Sequence, residues 1–212
     1  MTKKKNRAYS VSNVITKKYH PLEFENAFKK TFGKPDKSFS AIFYGESSNG
    51  KTEAAIQFAK YLTNFGKVDY DSLEQGVSAT MKDALIRNQM ENCKNTFRLL
   101  DRMPFEELIK RFSKPKSADF LFVDSAQYLR ITKAQYYQLK ELMLEKGKAI
   151  IWISQANGKK PKGALADDIL FDVDLKCRVE GYKLFPEGRL NGGGEPYTVY
   201  PEKAAKYWNE II

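Results

Sequence analysis

"IFYGESSNGKTEAAIQFAKYL", residues 42–62, decides the fold. An apolar run enters Gly45, four residues separate it from Gly50, and Lys51 and Thr52 follow directly. Beyond them Ala54, Ala55, Phe58, Ala59 and Leu62 recur at helical spacing, predicting a helix over 51–65. Gly45-x-x-x-x-Gly50-Lys51-Thr52 is the complete phosphate-loop pattern, with a strand before it and a helix after it. Each residue type has a physical reason. The glycines permit backbone angles that aim successive N–H groups inward as an anion nest. The start of the helix adds its positive dipole end. Lys51 brings a mobile point charge to the β- and γ-phosphates, and the Thr52 hydroxyl suits Mg²⁺. The whole loop, Gly45, Glu46, Ser47, Ser48, Asn49, Gly50, Lys51 and Thr52, is therefore the expected cradle for a nucleotide and Mg²⁺.

Working outward, strand and helix alternate from Ser38 to Ser154, which predicts a parallel sheet covered by helices. "PLEFENAFKKTFGKP" precedes it as a helix with Leu22, Phe24, Ala27, Phe28 and Phe32 inward. "KVDYDSL" is read as a strand, "SATMKDALIRNQM" as a helix and "NTFRLL" as a short strand. "PFEELIKRF" opens a helix with proline at its first position. "ADFLFVD" and "KAIIWIS" are apolar throughout, as in strands buried on both faces, and "TKAQYYQLKELMLEKG" between them is a capped helix. After Ser154, "FDVDLKCRVEGYKLF" and "EPYTVYP" alternate in and out around "PEGRLNGGG", predicting an antiparallel extension closed by a helix, "EKAAKYWNEII".

Hydrolysis needs a carboxylate for the metal and a base for water. Asp124 ends "FLFVD", and an acid at the carboxyl edge of a central parallel strand faces the phosphate crevice. Glu74 in "YDSLEQG" also follows a strand; position alone leaves it as either the base or a helix-capping acid. Asp69 and Asp71 are unusual in a buried parallel strand and place theirs near a sheet edge.

The 212 residues, 42% hydrophobic and 13% aromatic, are ample for one core. A single histidine, His20, read as a surface residue, argues against histidine triads and His-rich metal sites. Cys93 and Cys177 have no ligand-like neighbours and are expected reduced. No apolar run suggests a membrane span, and no secretory signal is present, so the expected location is cytoplasmic. The net charge is +10, and Lys3, Lys4, Lys5, Arg7, Lys17 and Lys18 put six of those charges in residues 1–20, which hold no acid. That segment is a basic flexible tail, either solvated or a phosphate-binding arm, ahead of a single domain over 21–212.

"GESSNGKT", "VDYDSLEQGVSATMKDALIR", "DFLFVDSAQYL" and "AIIWISQANGKKPKG", in that order, resemble the RecA-like ATPases, the family of recombinases and hexameric replicative helicases. The likeness runs from about Ser38 to Tyr200. It implies a three-layer α/β P-loop NTPase with a mainly parallel central sheet and the C-terminal antiparallel extension. It also implies Glu74 as the base that activates water, Asp124 and Thr52 at the metal, and Gln155 as a polar sensor of the γ-phosphate. The loop beyond Gln155 leads toward DNA in that family. Here Lys159, Lys160 and Lys162 lie between Gly158 and Gly163, a cationic loop suited to phosphates without sequence readout, or else an ordinary solvated one. Rings or filaments, with a neighbour's arginine or lysine completing the site, are further implications; Arg189 and then Arg178 are the candidates. Without a helical N-terminal domain or an obvious polymerisation strand, the chain reads as an ATPase acting on DNA in recombination or replication, of phage or mobile-element type. A helicase loader or transposition regulator, working with a replication or recombination protein, is one alternative. A regulatory ATPase that binds no nucleic acid is the other.

Overall fold

A computed structural model describes residues 8–188 and 193–209. The chain opens with a short helix α1 (Val11–Ile15), boxed by Ser10 and Asn13, whose residues are all exposed. Helix α2 (Asn26–Phe32) follows, and Leu22 and Phe24 are buried in the extended segment before it, so the expected helix starts later than its apolar spacing suggested. Then come β1 (Ser40–Gly45), α3 (Lys51–Leu62), β2 (Val68–Ser72), α4 (Ala79–Arg87) and β3 (Phe97–Leu100). Next are α5 (Phe105–Ser113), β4 (Phe120–Asp124), α6 (Ala126–Leu129), α7 (Lys133–Glu145) and β5 (Ala149–Asn157). The chain continues through β6 (Lys160–Pro161), α8 (Ala164–Asp172), β7 (Leu175–Glu180), β8 (Lys183–Gly188), β9 (Tyr197–Thr198) and α9 (Pro201–Trp208).

The strands form one sheet in the order β3-β2-β4-β5-β1-β7-β8-β9, with β6 paired to β5 alone. The pairings from β3 to β7 are all parallel. The two faces bury different residues of the same strands. Phe43, Phe122, Ile151 and Ile153 join Ala55, Phe58 and Leu62 of α3 on one side. Ile42, Leu121, Val123, Ile150 and Trp152 join Leu108, Phe112, Tyr136 and Leu139 of α5 and α7 on the other. A strand buried on both faces has no reason to alternate polar residues, which accounts for the apolar runs. The architecture is the expected three-layer α/β one.

Three details differ from expectation. Strand β7 lies parallel to β1, with Ala41 opposite Leu175, and the antiparallel extension begins only with β8, after the turn at Gly181–Tyr182. Residues Phe171 and Asp172 end helix α8 rather than opening a strand. Pro104 sits at the N-cap of α5, one position before the first helical residue. Strand β2 is second from the edge, and its acids are accommodated differently. Fully buried Asp69 binds Arg98 at 2.8 Å and Arg111 at 2.6 Å, two cations for one carboxylate. Among the described residues Asp71 has only the Met103 N–H, at 3.0 Å, and its other oxygen has no partner.

Candidate active site

The loop at 45–52 runs from the tip of β1 to the head of α3, between β5 and β7 of the sheet. Gly45 admits no side chain: a Cβ there would lie 2.0 Å from the Val179 carbonyl oxygen on β7. Gly50 has φ +93° and Ser48 φ +63°, the left-handed angles that fold a loop back on itself. Lys51 Nζ donates to the Glu46 carbonyl oxygen at 2.7 Å, within the loop's own concavity. Burial holds its pKa below the ordinary lysine value, partly offset by the charges of Asp124, Glu74 and Glu46.

Asp124 ends β4 and is nearly fully buried. The Thr52 hydroxyl donates to its Oδ2 at 3.4 Å, which brings the loop's threonine and the strand-tip acid together. Burial raises the carboxyl to about 6, and the charge of Glu74 adds to it; the bonds from Tyr70 and Thr52 and the charge of Lys51 act against it. Glu74 is fixed by its backbone first: the Leu73 and Glu74 N–H groups donate to the Asp124 carbonyl at 2.6 and 3.0 Å. Its carboxylate accepts from Ser125 Oγ at 3.1 Å and from Gln155 Nε2 at 3.3 Å. Glu74, Asp124 and Gln155 therefore converge, from three neighbouring strand ends, on one cavity of about 420 Å³ beneath the loop.

The donor set fits a hard divalent cation that keeps waters and phosphate oxygens as ligands: one hydroxyl, one carboxylate and a second carboxylate nearby. Among the described residues no cluster of three or more acidic, histidine or cysteine ligands exists.

The structure also places residues that the sequence did not flag. Gln127 of α6 donates to Ser154 Oγ at 2.7 Å and to the Lys162 carbonyl at 2.9 Å, joining β5 to the lysine-rich segment. Tyr182, from the β7–β8 turn, and Lys203, from α9, line the same cavity. Neither belongs to a local pattern that points to a site. The lysine-rich segment itself is a β-hairpin, Asn157 paired with Lys160 and Ala156 with Pro161, with Lys159, Lys160 and Lys162 exposed. The Gly158 N–H at its tip donates to Glu46 Oε1 at 3.2 Å. Arg178 pairs with Glu180 of its own strand and lies 4.9 Å from the Phe185 ring, beside Glu46 and Asn49. Arg189 lies outside the described residues. Two larger hollows, of about 720 and 500 Å³, flank α4 and hold no converging acids.

No protein-family model matches the chain, and no curated protein matches it. Solved structures do. A KaiC-like protein of the hyperthermophilic archaeon Pyrococcus horikoshii superposes with a TM-score of 0.60 at 16% identity, over 81% of this chain and 89% of that one. The flagellar accessory protein FlaH of Methanocaldococcus jannaschii gives 0.61 at 14% identity, over 80% and 87%.

Proposed function

The fold is that of the RecA-like P-loop ATPases, to which these neighbours belong, and from that premise we propose that the chain binds and hydrolyses Mg·ATP and couples this to DNA in recombination or replication. The observation that carries the ATPase reading is the convergence of Glu74, Asp124 and Gln155 under a complete phosphate loop. The loop amides and Lys51 grip the phosphates. Thr52 and Asp124 would hold a Mg²⁺ ion, which would supply positive charge against the phosphates. Glu74, exposed to the cavity, orients the attacking water and takes its proton. Gln155, bonded to Glu74, stands where a γ-phosphate and the base are felt together.

The exposed cationic hairpin supports the DNA reading, because it is tied both to β5 beyond Gln155 and to the loop residue Glu46. One observation favours the regulatory reading: a structural neighbour that covers most of the chain is an accessory protein of a flagellum. Steady-state ATP turnover at low salt, with and without single-stranded DNA, separates the two. The DNA reading expects stimulation. Turnover unchanged by DNA, with no binding at low salt, leaves the regulatory ATPase. Turnover that survives Lys51→Ala overturns both.

A further inference from the structure

We propose that Lys203 is a second phosphate-binding cation of the loop site, supplied within the same chain by helix α9. The inference rests on the pocket being a nucleotide site.

Lys203 lines the same cavity as Lys51 and Thr52. Its ammonium lies 4.8 Å from the centre of the Tyr200 ring and 5.3 Å from that of Tyr182. The cavity's acids are engaged elsewhere: Glu53 by Arg87 and Asn88, Glu74 by Ser125 and Gln155, Asp124 by Tyr70 and Thr52. Among the described residues no ion pair neutralises Lys203. A cation resting on two tyrosine faces at the rim of an anion nest is held weakly, and exchanges that contact for a stronger charge-assisted bond when phosphate arrives.

The scaffold behind it is tied to the loop at several points. The Gly181 N–H donates to Asn49 Oδ1 at 2.7 Å, and the Tyr182 N–H to the Asn49 carbonyl at 3.3 Å. The Tyr182 ring leans on the loop so closely that a Cβ on Gly50 would meet it at 3.2 Å. Helix α9 is then fastened to this turn at both ends. The Val199 N–H just ahead of it donates to the Tyr182 carbonyl at 2.9 Å, and Trp208 Nε1 at its far end donates to the Gly181 carbonyl at 3.0 Å. Lys203, in the first turn of the helix, is thus fixed in relation to the loop. One cation of the kind expected from a neighbouring copy comes from within the chain.

The test is calorimetric binding of ATP, ADP and AMP, with Mg²⁺, to the wild-type chain and to Lys51→Ala, Lys203→Ala and Lys203→Arg. Lys203 is exposed, so its truncation leaves the fold intact, which a thermal melt checks. Lys203→Ala is expected to weaken ATP by about 10- to 100-fold, the loss of one charge-assisted bond, and AMP by less than about threefold. Lys203→Arg recovers most of the ATP loss. The inference is overturned if Lys203→Ala binds ATP like the wild type, loses all three nucleotides by the same factor, or matches Lys203→Arg. If the wild type binds none of them, the nucleotide reading itself falls. Binding that Lys51→Ala destroys and Lys203→Ala spares sinks the role of Lys203 alone.

Discussion

The Tyr70 hydroxyl donates a 2.5 Å hydrogen bond to Oδ2 of Asp124, the same oxygen that accepts from Thr52. Tyr70 is fully buried on β2, its ring stacked on Phe122 of β4 with centroids 5.5 Å apart. The Asp124 carboxylate is thus oriented by a phenol from the adjacent strand. That bond favours the ionised carboxylate against the burial that opposes it. Tyr70→Phe should cost about 1.5–3 kcal/mol of stability at pH 7.5, as expected for a bond to a charged acceptor. The loss should shrink at pH 5, where Asp124 is protonated in either protein. Urea unfolding at both pH values checks it; an equal loss at each would mean that packing, not the bond, is what the phenol contributes.

Asp71 supplies a second pH dependence, of opposite sense to the usual carboxylate. Burial lifts it from 3.8 to about 6; the Met103 N–H lowers it, and Asp101 and Asp69 raise it. A carboxyl that holds its proton more tightly in the fold contributes most below pH 4. That contribution is lost as the pH rises from about 4 to about 6 and is absent above. The shift corresponds to about 3 kcal/mol. Asp71→Asn should therefore be more stable than the wild type at pH 7.5, with the advantage gone at pH 4. Parallel stability curves for the two proteins across this range would show that Asp71 is not the titrating group.

Glu74→Gln keeps one acceptor oxygen, which in the place of Oε2 can accept from both Ser125 Oγ and Gln155 Nε2, so the site should remain assembled. ATP affinity is expected to stay within about threefold, while turnover falls by about 10²- to 10⁴-fold through loss of the base. Wild-type turnover in this variant would place the base elsewhere.

Replacing Lys159, Lys160 and Lys162 with alanine removes three exposed cations from one hairpin. With single-stranded DNA the slope of log affinity against log salt should flatten by about 2, at about 0.7 per phosphate contact, with ATP affinity unchanged. A salt slope identical to wild type would take the hairpin out of the DNA path.

The central layer was legible because its signals are local. Gly45 to Thr52 must be contiguous to make a nest, and Asp124 is marked by the apolar strand that delivers it. Glu74 and Gln155 were legible only as a set, through the order in which their strands recur. Helix α8 is not legible because its last residues, Phe171 and Asp172, and the Val173 that caps it alternate as a strand would, while Ile169 and Val173 both pack under the sheet. The parallel pairing of β7 with β1 depends on a crossover, which no short window contains. Tyr182 and Lys203 reach the cavity from a turn and a terminal helix far along the chain, by long-range pairing alone.

Glu46 touches two places at once: its side chain holds the Gly158 N–H at the hairpin tip, and its carbonyl holds the Lys51 ammonium. Any occupant that draws Lys51 off that carbonyl disturbs the residue on which the hairpin leans. A ligand of the hairpin and a ligand of the loop would be thermodynamically linked to the extent that either one moves Glu46. The factor by which the first alters affinity for the second must be returned in full when the order of addition is reversed.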